Sequence, residues 1–199
     1  MPAKALKAFS LAVATMMVLM AFGSSTAVAT TLFTNSAKTV TYASGTEFKA
    51  ELVSGTSTAL TSGEGNTIAT CTSSGVAGKT SNSSGATVTG NLSSLTWGGC
   101  SQTTHTVANG TLHIAYTSGN DGTVTGSGNS VQLMLFGVTC TYGTGKGTHL
   151  GSITGGTAPV LKIKAAVPTV VPSSWLCPSF AVWDAEYVLM SPHALFVGA

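Results

Sequence analysis

The chain has 199 residues, of which 43% are hydrophobic and 7% are charged, and its formal net charge at pH 7 is +2. It contains 24 glycines, and its eight basic residues are all lysines. A nucleic-acid-binding protein needs clustered Arg or Lys on one face, and a segment that binds an anionic membrane needs a similar density of positive charge. We therefore expect neither kind of partner.

Residues 1–29 have the organisation of a cleaved signal peptide. Lys4 and Lys7 precede an uncharged apolar run, and Ala27-Val28-Ala29 supplies the small residues that a signal peptidase needs. The apolar run is too short to span a bilayer comfortably, and no later apolar run is longer. We expect cleavage after Ala29 and an exported protein, located in the medium, the periplasm or at the cell surface, with no integral membrane segment after cleavage.

Residues 30–199 have a length typical of one domain. Without Lys4 and Lys7 this mature chain has six lysines and six acidic residues, so its formal net charge is zero. Short apolar runs with β-type alternation recur between Gly, Ser, Thr and Asn turn signals, which is typical of an all-β sandwich or barrel. The sequence predicts an antiparallel β-sandwich of Greek-key or immunoglobulin-like type, with about ten strands and no helix.

Strands are predicted at residues 47–52, 66–72 and 86–91, where apolar and polar residues alternate. The apolar parity changes between Leu92 and Leu95, which predicts a β-bulge near Ser93 and Ser94. Residues 131–140 carry apolar side chains on both parities and are predicted to form one central strand buried on both sides.

Asn109-Gly110 predicts a two-residue type I′ turn that joins residues 104–108 and 111–116 in a hairpin, because both residues tolerate positive φ. In that register His105 and His113 lie on opposite faces, so they cannot bind one metal ion together.

Two segments near the end of the mature chain alternate most clearly, residues 161–167 and 181–189. Antiparallel pairing of Lys162 with Glu186 and of Lys164 with Asp184 puts opposite charges on one face and apolar side chains on the other. A slip of one residue would turn Trp183 to water, so burial of the apolar face fixes this register.

The four cysteines are Cys71, Cys100, Cys140 and Cys177, an even number that predicts two disulfides in an exported chain. Three connectivities are possible, and we favour Cys71 with Cys100 and Cys140 with Cys177 because these pairs close the shortest loops. Each disulfide would stabilise the fold by about 3 to 4 kcal/mol in the chain-entropy model. The spacings contain no CxxC, which argues against a zinc site.

Four segments carry a resemblance to a known group of proteins: Cys71-Thr72-Ser73-Ser74, Gly90 to Cys100, Gly137 to Gly145, and Leu176-Cys177-Pro178-Ser179 through Trp183 to Tyr187. They resemble a family of small secreted bacterial proteins that are rich in Gly, Ser and Thr and have four cysteines. The family closes on a strand with Cys-Pro-Ser, Trp and Tyr. The resemblance implies a β-rich fold and export, and it implies no activity because the family is functionally uncharacterised.

No catalytic, cofactor-binding or metal-binding residues are predicted. Asp184 and Glu186 share one face of a strand like a glycosidase carboxylate pair, but Lys162 and Lys164 explain them better as charge partners. The Gly143 to Thr148 segment lacks the Ser or Thr that follows the lysine of a phosphate-binding loop.

Trp97 and Trp175 form a possible ligand face, because exposed indole rings on a flat sheet surface stack on sugars. Each also lies beside a cysteine in the sequence, where packing against a disulfide is the alternative. Trp183 has inward parity and is predicted to belong to the core.

We therefore interpret the sequence as that of a secreted or cell-surface, non-enzymatic protein with a structural or binding role, whose partners are cell-surface components or glycans. A carbohydrate-binding module is one alternative. A pilin-like assembly subunit is another, in which residues 30–42 would act as a donor strand. An extracellular hydrolase would need a carboxylate or His with a perturbed pKa in a cleft.

Overall fold

The computed structural model describes residues 28–170 and 174–199, and residues 1–27 of the predicted signal peptide lie outside the described residues. The described chain is all-β, as predicted, and contains no helix. Consequently none of its elements is a helix long and apolar enough to cross a membrane.

Fifteen strands make up the described part of the chain. They are β1 (Thr30–Phe33), β2 (Glu47–Leu52), β3 (Thr58–Ser62), β4 (Thr67–Thr80), β5 (Ser84–Gly85), β6 (Val88–Cys100), β7 (Thr104–Ala108), β8 (Thr111–Tyr116), β9 (Gly122–Ser127), β10 (Ser130–Leu135), β11 (Val138–Gly143), β12 (Thr148–Thr154), β13 (Val160–Pro168), β14 (Phe180–Ser191) and β15 (Phe196–Gly198).

The main sheet closes into an eight-stranded barrel and does not form the predicted sandwich. The sheet has nine strands in the order β13-β12-β9-β8-β6-β4-β2-β14-β3, and β14 pairs with β13 to complete the ring. The ring has eight strand positions because β2 and β3 share one of them, between β4 and β14. A sandwich keeps two sheets with free edges, whereas ring closure removes those edges. Local alternation is the same in both architectures, because both bury one face of each strand, and this is why the sequence pattern did not distinguish them.

Two small sheets cover the ends of the barrel. At one end β1 lies between β15 and β5, and Leu32 of β1 faces the same interior space as Leu161 and Leu189. At the other end β10 lies between β11 and β7, and Tyr142 of β11 faces Trp183. Since Trp183 and Leu189 lie six positions apart on β14, the two small sheets cover opposite ends.

The predicted register between β13 and β14 is confirmed. Lys162 lies opposite Glu186 and Lys164 opposite Asp184, and the Lys162 Nζ to Glu186 Oε1 distance is 3.3 Å. The inward-facing side chains of both strands are buried: Leu161, Ile163, Ala165, Val167, Ala181, Trp183, Ala185 and Tyr187. Apolar burial therefore sets the register. The charged side chains lie on the outer surface, where Lys162 and Glu186 form an ion pair and Lys164 and Asp184 are opposite in register but are not within ion-pair distance.

The bulge prediction is also confirmed. The register between β4 and β6 pairs Ala77 with Ser94 and Gly78 with Leu92, so Ser93 is the additional residue. This extra residue restores Leu95 to the interior after Leu92.

The predicted hairpin at Asn109-Gly110 is wrong. Residues 104–108 form β7, which pairs with β10, whereas β8 pairs with β6 and β9. Gly110 does adopt positive φ, but the Asn109 side-chain amide donates to Ser93 O, 2.9 Å away. The turn therefore directs the chain from an end-covering sheet into the barrel wall.

The single central strand predicted at residues 131–140 is wrong as well. The chain turns at Phe136 and Gly137, both at positive φ (49° and 81°), and β10 and β11 pair as a hairpin. The sequence lacks the usual Asn or Asp at the first turn position, and for this reason the sequence pattern did not predict the hairpin.

Both predicted disulfides are present. Cys71 is bonded to Cys100 and Cys140 to Cys177, and none of the described cysteines is free. The first disulfide joins β4 and β6 across the barrel wall. The second ties β11 to the segment that precedes β14.

We predict that the Lys162–Glu186 pair contributes little to stability. In a double-mutant cycle of Lys162→Ala and Glu186→Ala, the coupling free energy should be about 0.2 to 1 kcal/mol, because the side chains are 64% and 40% exposed to solvent, which weakens their attraction. Denaturant unfolding measures it. A cycle of Lys162→Ala with Glu47→Ala, whose carboxylate pairs with Lys79, is the control and should show no coupling. A coupling several times larger would mean that charge, and not burial, sets the register.

Candidate functional site

One position in the barrel wall is shared by two short strands. β2 pairs with residues 75–79 of β4 and with residues 187–191 of β14. β3 pairs with residues 67–71 of β4 and with residues 181–184 of β14. Between them residues 53–57 leave the wall, so residues 72–74 of β4 pair with none of the fifteen described strands on that side.

An open cleft of about 590 Å³ lies on the outer face beside this interruption. We call it the wall cleft. It is lined by Lys49 and Glu51 of β2, residues 52–56, residues 72–77 of β4, and Ser94 and Thr96 of β6.

The wall cleft exists because small residues occupy the middle of two register rows. One row runs from Lys49 through Ala77 to Ser94, and the other from Glu51 through Gly75 to Thr96. A Cβ atom at Gly75 would lie only 3.1 Å from Thr96 Oγ1. The short side chains of β4 therefore form the bottom of a valley between the taller side chains of β2 and β6.

The lining of the wall cleft is rich in hydrogen-bonding groups. Lys49 Nζ lies 2.6 Å from Glu51 Oε1, and both side chains are about half exposed. Hydroxyl groups come from Thr72, Ser73, Ser94 and Thr96. Thr96 Oγ1 already donates to Gly75 O at 3.3 Å and is left as an acceptor. The hydroxyls of Thr72, Ser73 and Ser94 can donate and accept, the ammonium donates and the carboxylate accepts. This set of groups suits a ligand that itself carries several hydroxyls.

Beneath the wall cleft, Ser74 connects the lining to a buried polar cluster. Ser74 is 7% exposed, and its Oγ donates to Thr96 O at 2.8 Å. Because the Ser74 hydroxyl proton is used in that bond, Tyr187 Oη is the donor to Ser74 Oγ, 2.9 Å away. Deeper in the barrel, Trp183 Nε1 donates to Thr58 Oγ1 at 3.0 Å. Because these buried polar groups are hydrogen-bonded, they hold the β4 residues at the bottom of the wall cleft in place.

Burial raises the pKa of Tyr187 to about 12, and the polar side chains of Ser74, Thr58 and Trp183 near the phenol offset part of that shift. The phenol is fully buried. It is therefore neutral across the physiological range, and it serves as a structural donor.

The predicted ligand face of Trp97 and Trp175 is divided between two environments. Trp97 packs against Trp183, with ring centroids 5.7 Å apart, and its Nε1 donates to Thr106 Oγ1 at 3.1 Å. Trp175 is 90% exposed and lies just before the Cys140–Cys177 disulfide. One ring faces the barrel interior and the other faces solvent, so they do not form one flat surface, and neither lines the wall cleft.

The histidines of the predicted hairpin belong to different sheets. His113 of β8 lies between Thr89 Oγ1, 3.0 Å from Nδ1, and Thr111 Oγ1, 3.1 Å from Nε2. His105 lies on β7. Across residues 28–170 and 174–199, no group of three His, Cys, Asp or Glu side chains is placed to hold a metal ion.

Sequence reasoning did not identify the wall cleft. Its signal is the run of small residues at alternate positions, Ser73, Gly75 and Ala77 on β4. That run indicates a depression only when β2 and β6 are known to flank β4, and the pairing is a tertiary property.

We predict that the buried phenol makes the fold sensitive to alkali. The folded state keeps the Tyr187 proton up to about pH 12, whereas the unfolded chain releases it near pH 10.0. Stability should therefore fall as pH rises through this window, by about 2 to 3 kcal/mol from this group. Tyr187→Phe should remove that part of the slope, and Tyr116→Phe, at a partly buried ring, should retain it. Urea unfolding at several pH values measures the slopes. Equal slopes in the wild type and in Tyr187→Phe would contradict the assignment.

No family model, no curated protein and no solved structure matches this chain.

Proposed function

We propose that this protein is a secreted or cell-surface binding protein without catalytic activity, and that the wall cleft binds a carbohydrate. The observation that carries the proposal is a cleft of about 590 Å³ lined by hydroxyls and by one Lys–Glu ion pair. Sites of about 300 to 1,000 Å³ are typical of small-molecule binding.

The export part of the proposal is supported by the cysteines and by the predicted signal peptide. Two disulfides are compatible with an oxidising environment outside the cytosol. The predicted cleavage after Ala29 would leave a chain that begins close to β1.

A binding role without catalysis is supported by the partners of the acidic side chains. Glu47, Glu51 and Glu186 form ion pairs with Lys79, Lys49 and Lys162. Asp121 accepts a hydrogen bond from Gly155 N at 3.1 Å. Carboxylates that are engaged in this way hold turns and strands in place.

A carbohydrate fits the wall cleft better than a peptide does. A peptide that adds a strand needs a free sheet edge, but β4 pairs with β6 along the cleft and with β2 from Gly75 onward, which leaves only the short edge at residues 72–74. A sugar presents donors and acceptors in several directions, as the hydroxyls and the ion pair of the cleft do. The exposed ring of Trp175 remains available as a separate stacking surface.

We predict that filling the wall cleft abolishes carbohydrate binding. Ala77→Gln would place a long side chain on the floor of the cleft, between Lys49 and Ser94. Glycans that bind the wild type on an array should bind this variant at least about tenfold more weakly by calorimetry, a loss of about 1.4 kcal/mol. Ser152→Gln, on the exposed outer face of β12, is the matched control and should bind normally.

Two results would contradict this proposal. One is an array on which the folded wild type binds no glycan. The other is equal glycan affinity for the wild type and Ala77→Gln. If only Trp175→Ala weakened binding, the site would lie at the disulfide-bridged end of the barrel.

The pilin-like alternative makes a different prediction. A donor strand must be free to enter a neighbouring molecule, but β1 pairs with β15 and β5 of its own chain. We therefore expect the oxidised mature protein to be a monomer, independent of concentration, in size-exclusion chromatography with light scattering. Polymers that grow with concentration would favour donor-strand assembly.

A further inference from the structure

The interior of the barrel is not completely filled at the end covered by β1 and β15. A cavity of about 80 Å³ remains there, and we call it the barrel cavity. Its lining is apolar and includes Phe48, Ala50, Val76, Val88, Ile153 and Leu161.

We propose that the barrel cavity is a binding site for a compact apolar molecule of about three or four carbon atoms. Apolar cavities in proteins stay dry, and one of about 150 Å³ accepts benzene or xenon. The barrel cavity has about half of that volume, so it suits a short hydrocarbon or a single xenon atom. This site is independent of the wall cleft, which lies on the other face of the same wall.

The size limit has a structural cause. The Phe48 ring lies along the inner face of the wall over β4 and β6: a Cβ atom would lie 2.7 Å from the ring at Gly78 and 2.8 Å from it at Gly90. The ring therefore occupies the space that Gly90 leaves open. A large planar ligand would have to displace Phe48, whereas a small molecule fits beside it.

The segments that precede β2 and β15 help β1 to close the barrel cavity towards solvent. Tyr42 and Pro192 line its outer end, and Tyr42 Oη donates to Ala194 O at 2.7 Å. Leu195 is held in turn by its backbone N–H, which donates to Gly156 O at 2.9 Å. Entry of a ligand therefore requires local opening of these end-covering segments, in which the Tyr42–Ala194 bond breaks while the ladder of the wall stays intact.

The structure provides a matched pair of variants for the test. Ala50 and Ala185 are both 4% exposed and face the barrel interior, but only Ala50 lines the barrel cavity. Ala50→Val would add two methyl groups to empty space, whereas Ala185→Val would add them to filled space. Val88→Ile is a second filling variant, since Val88 also lines the cavity.

The experiment is titration of the folded mature protein with propane, and separately with xenon, followed by methyl NMR. We expect saturable shifts confined to the methyl groups of lining residues such as Val76, Val88 and Ile153. Ala50→Val and Val88→Ile should lose these shifts while their melting midpoints stay unchanged or rise. Ala185→Val should keep the shifts and melt at a lower temperature.

Other outcomes would overturn the proposal. Absence of saturable shifts in the wild type would show that the space is closed to ligands. Shifts that persist in both filling variants would place the bound gas elsewhere. The titration also distinguishes this site from the proposed carbohydrate site, because Ala77→Gln should bind propane like the wild type.

Discussion

The ladder between β13 and β14 is the constraint on which the rest of the structure depends. Its nine residue pairs join the two ends of the strand order into a ring. Burial of Trp183 and Tyr187 on the inner face fixes its register, since a slip of one residue would expose both rings. Lys162 and Glu186 then meet on the outer face as a consequence. Without this ladder the sheet would have two free edges, and the small sheets at its ends would have no closed rim to cover.

The wall is interrupted beside the strand that closes the ring. The other edge of β14 must pair along its length, but two short strands, β2 and β3, share that edge with a loop between them. Where the loop leaves the wall, the barrel needs another means of staying closed. Val53 N donates to Glu186 O at 2.9 Å, and inside the wall Tyr187 is joined to Ser74. The interruption is therefore stabilised by hydrogen bonds, and the same arrangement leaves the wall cleft open on the outer surface.

The features that the sequence predicted correctly are those decided within a few residues or by one strong pairing. The alternation around Trp183, the bulge at Ser93 and the shortest-loop disulfides belong to this group. The failures occurred where one local signal permits several partners. Asn109-Gly110 makes a turn in either sheet, and Phe136-Gly137 turns the chain although Phe disfavours positive φ. Barrel closure, the wall cleft and the barrel cavity depend on which strands are neighbours, and the period-two pattern contains no information about that choice.

β2 connects the two candidate sites because its side chains alternate between the faces of the wall. Phe48 and Ala50 point into the barrel cavity, whereas Lys49 and Glu51 line the wall cleft. Six residues thus contribute to an apolar interior space and to a polar outer surface. Both requirements act on its register, since a shift by one residue would bury Lys49 and Glu51 and expose Phe48. The strand is paired on both edges, by β4 and by β14. Because both edges of β2 are paired, this short strand keeps its register, and its charged and apolar side chains stay on opposite faces of the wall.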